Sequence, residues 1–425
     1  MGPEPKYCIH FLTLFFLNPV KTLAFHGHYR YIRPMTNKNL ITTSNELAEF
    51  CNRLKSAKFI TVDTEFMREN TYRPILCLIQ IAGPDEALAI DALAPGIDLN
   101  PIYELFDNTD IVKVFHAARQ DLEIFHTLSG RLPAPLFDTQ IAAMVCGFGD
   151  SIGYQQLVAK LCNTHIDKGS RFSDWSLRPL NKKQIDYAIS DVTHLRNAYD
   201  QLADKLQQSN REIWIDEEMA ILRSPDTYRS NPDSAFRRIK ARSVTPRFLA
   251  VLKELAAWRE NEAERRDVPR NRIIRDDALV DIAHQKPNNA RDLGKTRGLN
   301  TKIADGKYGQ HILKAIQTGI DLPDNECPQP IVKPDLPRGI GPVSDLLKVL
   351  LKLKTEEQNV AGKLLASAAD MELIAAFGEK ADVRCLSGWR RDLFGKDALK
   401  LCSGELALIV KGRNILLVDN QTETA

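Results

Sequence analysis

The sequence predicts an α/β domain with a mixed sheet, followed by two helical domains. Three observations carry that reading. Strand and helix signals alternate over residues 40–222, the pattern of a sheet with helices on its faces. Strand signals then stop for about 85 residues, and a helical period takes over. The charge divides at the same place. Residues 40–222 hold 17 Lys and Arg against 26 Asp and Glu, a net of −9, whereas residues 236–320 hold 19 against 10, a net of +9. Residues 335–425 hold 13 of each. An acid-rich domain tied to a basic one points to a catalytic centre joined to a module that grips a polyanion.

In chain order, residues 1–37 read as an N-terminal extension, disordered or upstream of a start at Met35. Its apolar run Tyr7–Leu17 is too short to cross a bilayer. Only Lys6 precedes that run and no small-residue cleavage site follows, so a signal peptide is disfavoured. Residues 1–34 are expected to be dispensable. The domain from 38 to 223 opens with a helix capped near Ser44. Strands follow over Phe59–Phe66, Pro74–Ala82 and Glu86–Asp91, the last two joined by Gly83-Pro84-Asp85, which makes an antiparallel meander. A fourth strand, Ile111–Phe115, runs into a helix from Ala117 to Leu128, and Asp138 begins another strand or helix. Helices occupy 154–162, 181–208 and 211–223. Residues 224–235 read as a linker, 236–320 as a basic helical domain, 320–342 with six prolines and two glycines as a second linker, and 340–415 as a last helical domain. The eight cysteines are scattered with no C-x-x-C pair, so neither a zinc ribbon nor a secreted disulfide framework is expected.

The stretch Ile60-Thr-Val-Asp63-Thr-Glu65-Phe-Met reads as a buried strand, yet it carries two acids. Alternate strand residues share a face, so Asp63 and Glu65 lie side by side. Two like charges in apolar surroundings are unfavourable unless a cation neutralises them. Asp121 follows the end of the fourth strand, where sites in α/β folds gather. Tyr187 and Asp191 are four residues apart on an otherwise apolar helix and so stack on one face. Taken singly, each of these residues has an ordinary structural use: a cap, a core tyrosine, an edge charge. Their combination is what points to chemistry.

Asp-x-Glu on a strand, Asp on a following helix and Tyr-x-x-x-Asp on a late helix, in that order, resembles the DEDDy 3′–5′ exonucleases. Val62–Phe66, Pro74–Ala82, Phe115–Leu122 and Tyr187–Leu195 match the successive motifs. Lys168–Leu180 is similar to a segment typical of the ribonuclease D branch. Residues 245–319 resemble the HRDC module, on the cues Leu255–Glu260, Asp267–Arg270, Arg275–Leu279 and Tyr308–Leu313. The likeness covers roughly 38–320 well and 340–415 weakly, where that branch carries a second HRDC-like domain.

The resemblance implies an RNase H-like exonuclease fold followed by two all-α HRDC-type domains. It also implies two divalent ions, Mg²⁺ or Mn²⁺, roughly 4 Å apart. By the family's pattern Asp63, Glu65 and Asp191 hold the ion that bears the attacking water, Asp63 and Asp121 hold or orient the second, and Tyr187 orients the water and assists its deprotonation, positioning being the safer role for a phenol with a pKa of about 10. Met67 is a candidate wedge against the terminal base, Gln80 a candidate partner of a sugar hydroxyl, and His116 a candidate contact to the terminal phosphate. Trp175 is expected to order the loop near the site or to pack in the core. Arg237, Arg238 and Lys240 are candidate backbone-phosphate contacts. The implied function is 3′ trailer removal from tRNA precursors by a cytoplasmic, monomeric protein that has no membrane partner. Two rivals remain at this point: a DNA 3′–5′ exonuclease with the same site, and a catalytically silent RNA-binding adaptor.

Overall fold

The computed structural model describes residues 38–166, 169, 173–299, 301–330 and 334–420. The expectations for residues 1–37, and for residues 168 and 170–172 of the Lys168–Leu180 segment, lie outside them. Strand β1 is Leu40–Ile41, and helix α1, Ser44–Leu54, starts on the Thr43 side chain, which accepts from the Glu46 backbone N–H. Its apolar face (Leu47, Phe50, Cys51, Leu54) repeats at helical spacing and is buried. Then come β2 (Phe59–Met67), β3 (Ile75–Ala82), β4 (Ala87–Asp91), α2 (Asn100–Asp107), β5 (Val112–Phe115), α3 (Arg119–Ser129), β6 (Leu136–Asp138), α4 (Thr139–Val145), α5 (Tyr154–Cys162), α6 (Lys182–Ser209) and α7 (Glu212–Arg223).

The six strands are ordered β1-β4-β3-β2-β5-β6. β2, β3 and β4 form the expected antiparallel meander, while β5 runs parallel to β2 and β6 parallel to β5. The sheet is therefore mixed, with β2 near its centre. One face of β2 buries Ile60 and Val62 in the main core. The opposite face carries Thr61, Asp63 and Glu65 and is covered by α6, to which Thr61 Oγ1 donates at Val192 O, 2.8 Å away. Asp138 ends β6 and caps α4, so the ambiguity there resolves into both a strand and a helix.

The linker expected over 224–235 is ordered. Its second half belongs to a short 3₁₀ helix, Pro232–Arg238, and Ala235 and Phe236 are buried in the core of the helical domain. That domain consists of α8 (Pro246–Arg266), α9 (Arg270–Ile273), α10 (Asp276–Gln285), α11 (Ala290–Leu293), α12 (Thr301–Asp305) and α13 (Lys307–Asp321). It meets the catalytic domain at the turn between β2 and β3. Tyr72 and Arg73 donate their backbone N–H groups to Asp267 at 3.0 and 3.2 Å. Glu260, with its side chain 1% exposed, accepts from Tyr72 (2.5 Å), Ser230 (2.7 Å) and the Arg270 fork. Burial works to raise the Glu260 carboxyl, but the bonds from Arg270, Tyr72 and Ser230 outweigh it and hold the group at about 2.

The last unit departs from the all-helical expectation. After α14 (Gly341–Gln358), α15 (Gly362–Leu365) and α16 (Ala368–Phe377) it ends in a hairpin of β7 (Leu406–Lys411) and β8 (Asn414–Asp419). The turn is two residues, Gly412-Arg413, with Gly412 at φ 66°, a conformation that suits glycine in tight hairpins. The expected boundary at 415 cuts through this hairpin. Val360, Ala361, Leu364 and Leu365 pack into the catalytic domain's own core. Ala361 N–H donates to Met144 O (2.8 Å), Arg390 binds Glu217 and Glu218, and Trp389 stacks on Trp214 at 4.4 Å and 5°. The seven described cysteines are all free.

Replacing Glu260 with Ala leaves Arg270, Tyr72 and Ser230 without their shared acceptor at a buried position, and should lower stability by about 3 kcal/mol. Denaturant unfolding followed by circular dichroism would measure this, and an unchanged midpoint would show that the domain contact does not depend on Glu260.

Candidate active site

The face of β2 that meets α6 is where the predicted residues assemble. Asp63 and Gln80 are directly opposed across β2 and β3, and opposed residues of a pair share a face. Asp63, Tyr187 and Asp191 line one cavity of about 490 Å³ together with His116, Gln140 and Tyr154. Asp121 sits in the first turn of α3, 6% exposed, and accepts a short hydrogen bond from Thr64 Oγ1.

The four acids act on one another. Burial pushes the Asp63 carboxyl up to about 7. Burial, then the charges of Asp63, Asp191 and Asp121, push Glu65 up to about 9. Burial and Asp63 raise Asp191 to about 8, with the Tyr187 hydroxyl drawing it partly back, and burial and Asp63 hold Asp121 well above the usual carboxylate range. Among the described residues no Lys or Arg forms an ion pair with any of the four. The Gln80 amide beside Asp63 is fully buried and neither of its polar atoms has a partner.

This donor set of hard carboxylate oxygens, short of positive charge, fits divalent cations. Among the described residues no three acidic, His or Cys side chains stand converged on a single point; like charges repel, and a divalent ion is what would draw them together. Asp63, Glu65, Asp121 and Asp191 are the residues that would hold it.

Local structure explains why these groups lie where they do. Asp138 accepts from the backbone N–H groups of Ala117 (3.0 Å), Ala118 (2.9 Å) and Gln140 (2.8 Å), which fastens the turn from β5 into α3. Ala117 in that turn has φ 58°, a left-handed conformation that alanine adopts only when held. The Tyr154 hydroxyl donates to the carbonyls of Asp191 and, at 3.2 Å, Ser190, and so anchors the turn of α6 that carries Asp191. Arg178 forks onto Asp91 (2.6 and 2.8 Å) and donates to Trp175 O (2.7 Å) and Cys77 O (2.8 Å). That clamp seats Trp175, 2% exposed, with its ring 6.3 Å from the Tyr187 ring. Burial and then the Asp191, Glu65 and Asp63 charges raise the Tyr187 phenol, so it stays protonated.

The other candidates fall in different places. Met67 is half-buried against the Trp175 cluster. Gln80 is 0% exposed, under the acidic face rather than open to a sugar. His116 lines the cavity, but its Nδ1 is bonded to Thr139 Oγ1 (3.0 Å) and its Nε2 is inaccessible, so it does not present a donor to a phosphate. Arg237, Arg238 and Lys240 lie away from this cavity, exposed on the helical domain. Thr64, Asp138, Tyr154 and Arg178 were not singled out in the sequence. Their partners lie 57, 20, 37 and 87 positions away, and only the Asp-Thr-Gln start of α4, a capping signal, hinted at one of them.

Known proteins resemble this chain over most of its length. A 3′–5′ exonuclease family matches residues 39–207 and the HRDC domain family matches residues 248–316. A ribonuclease D from Granulibacter bethesdensis is 48% identical over 380 residues, covering 89% of this chain and 96% of its own. One from Jannaschia sp. is 46% identical, covering 89% and 99%. The crystal structure of Escherichia coli RNase D, described as an exoribonuclease involved in structured RNA processing, superposes with a TM-score of 0.75 at 29% identity, covering 86% of this chain and 98% of that one.

Raised carboxyl pKa values set a sign for stability. The unfolded chain releases these protons near pH 4, while the folded site keeps them to about 7–9. The metal-free protein should therefore lose stability as pH rises through that window. Mg²⁺ competes with the same protons, so its stabilisation should be larger at pH 8.5 than at pH 6. Melting curves with and without Mg²⁺ would check this, and an equal shift at both pH values would contradict it. Tyr154→Phe removes the hydroxyl shared by the Asp191 and Ser190 carbonyls, worth about 1 kcal/mol, and should cut turnover about fivefold. Wild-type turnover would show that α6 holds Asp191 unaided.

Proposed function

The chain belongs to the ribonuclease D family, and on that premise we propose that it trims 3′ trailers from tRNA precursors, one nucleotide at a time, releasing 5′-mononucleotides. It is a 3′–5′ exoribonuclease with a mixed α/β catalytic domain and a helical HRDC domain. The observation that carries the reading is one cavity lined by Asp63, Asp191 and Tyr187, with the Glu65 and Asp121 carboxyls near enough for the acids to raise one another.

In this reading Asp63, Glu65, Asp121 and Asp191 hold two divalent ions, Mg²⁺ or Mn²⁺. Bound there, such ions lower the pKa of a water and stabilise charge on the scissile phosphate and the leaving oxygen. The protein's own part is positional. Thr64 fixes Asp121, Tyr154 fixes the turn bearing Asp191, and Trp175 supports Tyr187. The protonated Tyr187 phenol donates to the attacking water and orients it, rather than taking its proton. Met67, at the end of β2, lies beside the terminal base.

The basic HRDC domain is the grip, and residues 340–415, extended to the end of β8, form a second HRDC-like unit. The protein acts as a monomer in the cytoplasm; among the described residues no helix is long and apolar enough to cross a membrane.

A 5′-labelled tRNA with a short 3′ trailer, incubated with Mg²⁺ or EDTA, tests this. Metal-dependent shortening by single nucleotides that stops near the mature end is expected, and Asp63→Ala should abolish it. Digestion of matching DNA but not RNA would make it a DNA exonuclease, and binding without digestion would make it an adaptor. Asp121→Asn should lose turnover at least a hundredfold, about 3 kcal/mol of barrier, yet retain RNA affinity. Loss of both would undo the division between grip and chemistry.

A further inference from the structure

We propose that the pocket between the β2–β3 turn and the helical domain is a second phosphate site, which holds one backbone phosphodiester of the RNA a few nucleotides upstream of the bond being cut. This rests on the reading of the substrate as RNA.

The pocket measures about 300 Å³ and is walled by both domains: Arg68 and Tyr72 from the catalytic side, Arg238, Arg259, Arg270 and Asn271 from the helical side. Three of its four arginines are already held by a carboxylate. Arg68 forks onto Glu123 (2.7 and 2.9 Å), Arg259 bonds Asp276 (2.6 Å) and Arg270 forks onto Glu260. Arg238 is different. Its side chain is 59% exposed, and among the described residues the acid within ion-pair reach is Glu260 at 3.6 Å, which is beyond hydrogen-bond distance and already shared among Tyr72, Ser230 and Arg270. The pocket thus keeps one spare positive charge. Arg259 forms part of the wall, its side chain 4% exposed and its guanidinium bonded to Asp276 and Ile274 O.

One spare charge with fixed guanidinium donors matches a phosphodiester, which carries a single negative charge and presents acceptors only. Arginine forks suit that geometry. The location agrees. Arg68 directly continues the strand that bears Asp63 and Glu65, three residues past Glu65, so about 10 Å along β2. An RNA whose 3′ end enters the acidic cavity passes this wall within a few nucleotides. The site also lies where Glu260 joins the two domains, so an RNA phosphate placed there touches the catalytic domain and the grip at once.

The test is binding of a labelled single-stranded RNA to the full chain in EDTA, where no cleavage occurs. Arg238→Gln should weaken affinity about tenfold at low salt and reduce the slope of log affinity against log salt by about one. Lys314→Gln, an exposed change on α13 outside the pocket, serves as the control for a general loss of charge. Arg238 is exposed, so the variant should keep the wild-type melting temperature, which confirms its fold. A neutral methylphosphonate linkage is then walked inward from the 3′ end. In the wild type one upstream position should cost as much affinity as Arg238→Gln does, and that position should cost nothing further in the variant. If Arg238→Gln behaves like Lys314→Gln, or if no single linkage is sensitive, the pocket is not a phosphate site. Shortening of the same RNA by the wild type with Mg²⁺ separates the two ideas: its absence would sink the functional reading, whereas normal shortening with an insensitive Arg238 would sink the pocket alone.

Discussion

Four carboxylates from β2, α3 and α6 must share one neighbourhood, and most of the catalytic domain is arranged around that repulsion. Burial pushes Asp63 up to about 7, and burial with neighbouring carboxylate charge pushes Glu65 and Asp191 up to about 9 and 8. A flexible scaffold would let such groups turn outward into water. Here β2 is held on both sides, by β3 and by β5, and α6 lies across it. Thr64 ties Asp121 to β2, Tyr154 ties the Asp191 turn to α5, and Asp138 fastens the strained turn at Ala117 that launches α3. The neutral donors around the acids steady their backbone without cancelling the charge that a cation requires.

Much of this was legible in the sequence because it depends on short-range geometry. A period of two places Asp63 beside Glu65, and a spacing of four places Tyr187 beside Asp191. The meander, the mixed sheet and most helix boundaries follow from local signals for the same reason. What was not legible depends on contacts between distant residues. Nothing near Tyr154 says that its hydroxyl ends on Asp191, and nothing near Arg178 says that it grips Asp91 across 87 positions. His116 looked like a phosphate contact by its place beside a motif, but Thr139, 23 residues on, occupies its Nδ1. The Leu406–Asp419 hairpin was missed because its apolar runs were read as continuing a helical domain, although Gly412 marks the turn. The segment 224–235 looked loose by composition, yet Phe236 just beyond it completes a core.

The two C-terminal units attach to the catalytic domain by different means. The HRDC domain uses a buried carboxylate that gathers donors from both sides, Tyr72 from the β2–β3 turn and Arg270 and Ser230 from the helical side. Removing the acceptor strands several partners at once, so this joint is sensitive to a single residue. The last unit uses a broader contact. It combines apolar insertion by Val360 and Leu364, N–H bonds from Ala361 to Met144 O and from Lys363 to the Asp150 carboxylate, and the Arg390 pair with Glu217 and Glu218. Such a joint spreads its stability over many groups.

The Trp214–Trp389 pair gives that broader joint a spectroscopic signature. Two indoles lie parallel at 4.4 Å, one from α7 and one from the last unit. Ring transitions this close couple and split, producing a paired signal in the far-ultraviolet that neither tryptophan gives alone. Undocking separates the rings and erases it, while backbone ellipticity stays nearly constant. The molecule therefore carries a built-in, label-free gauge of whether its last unit is seated.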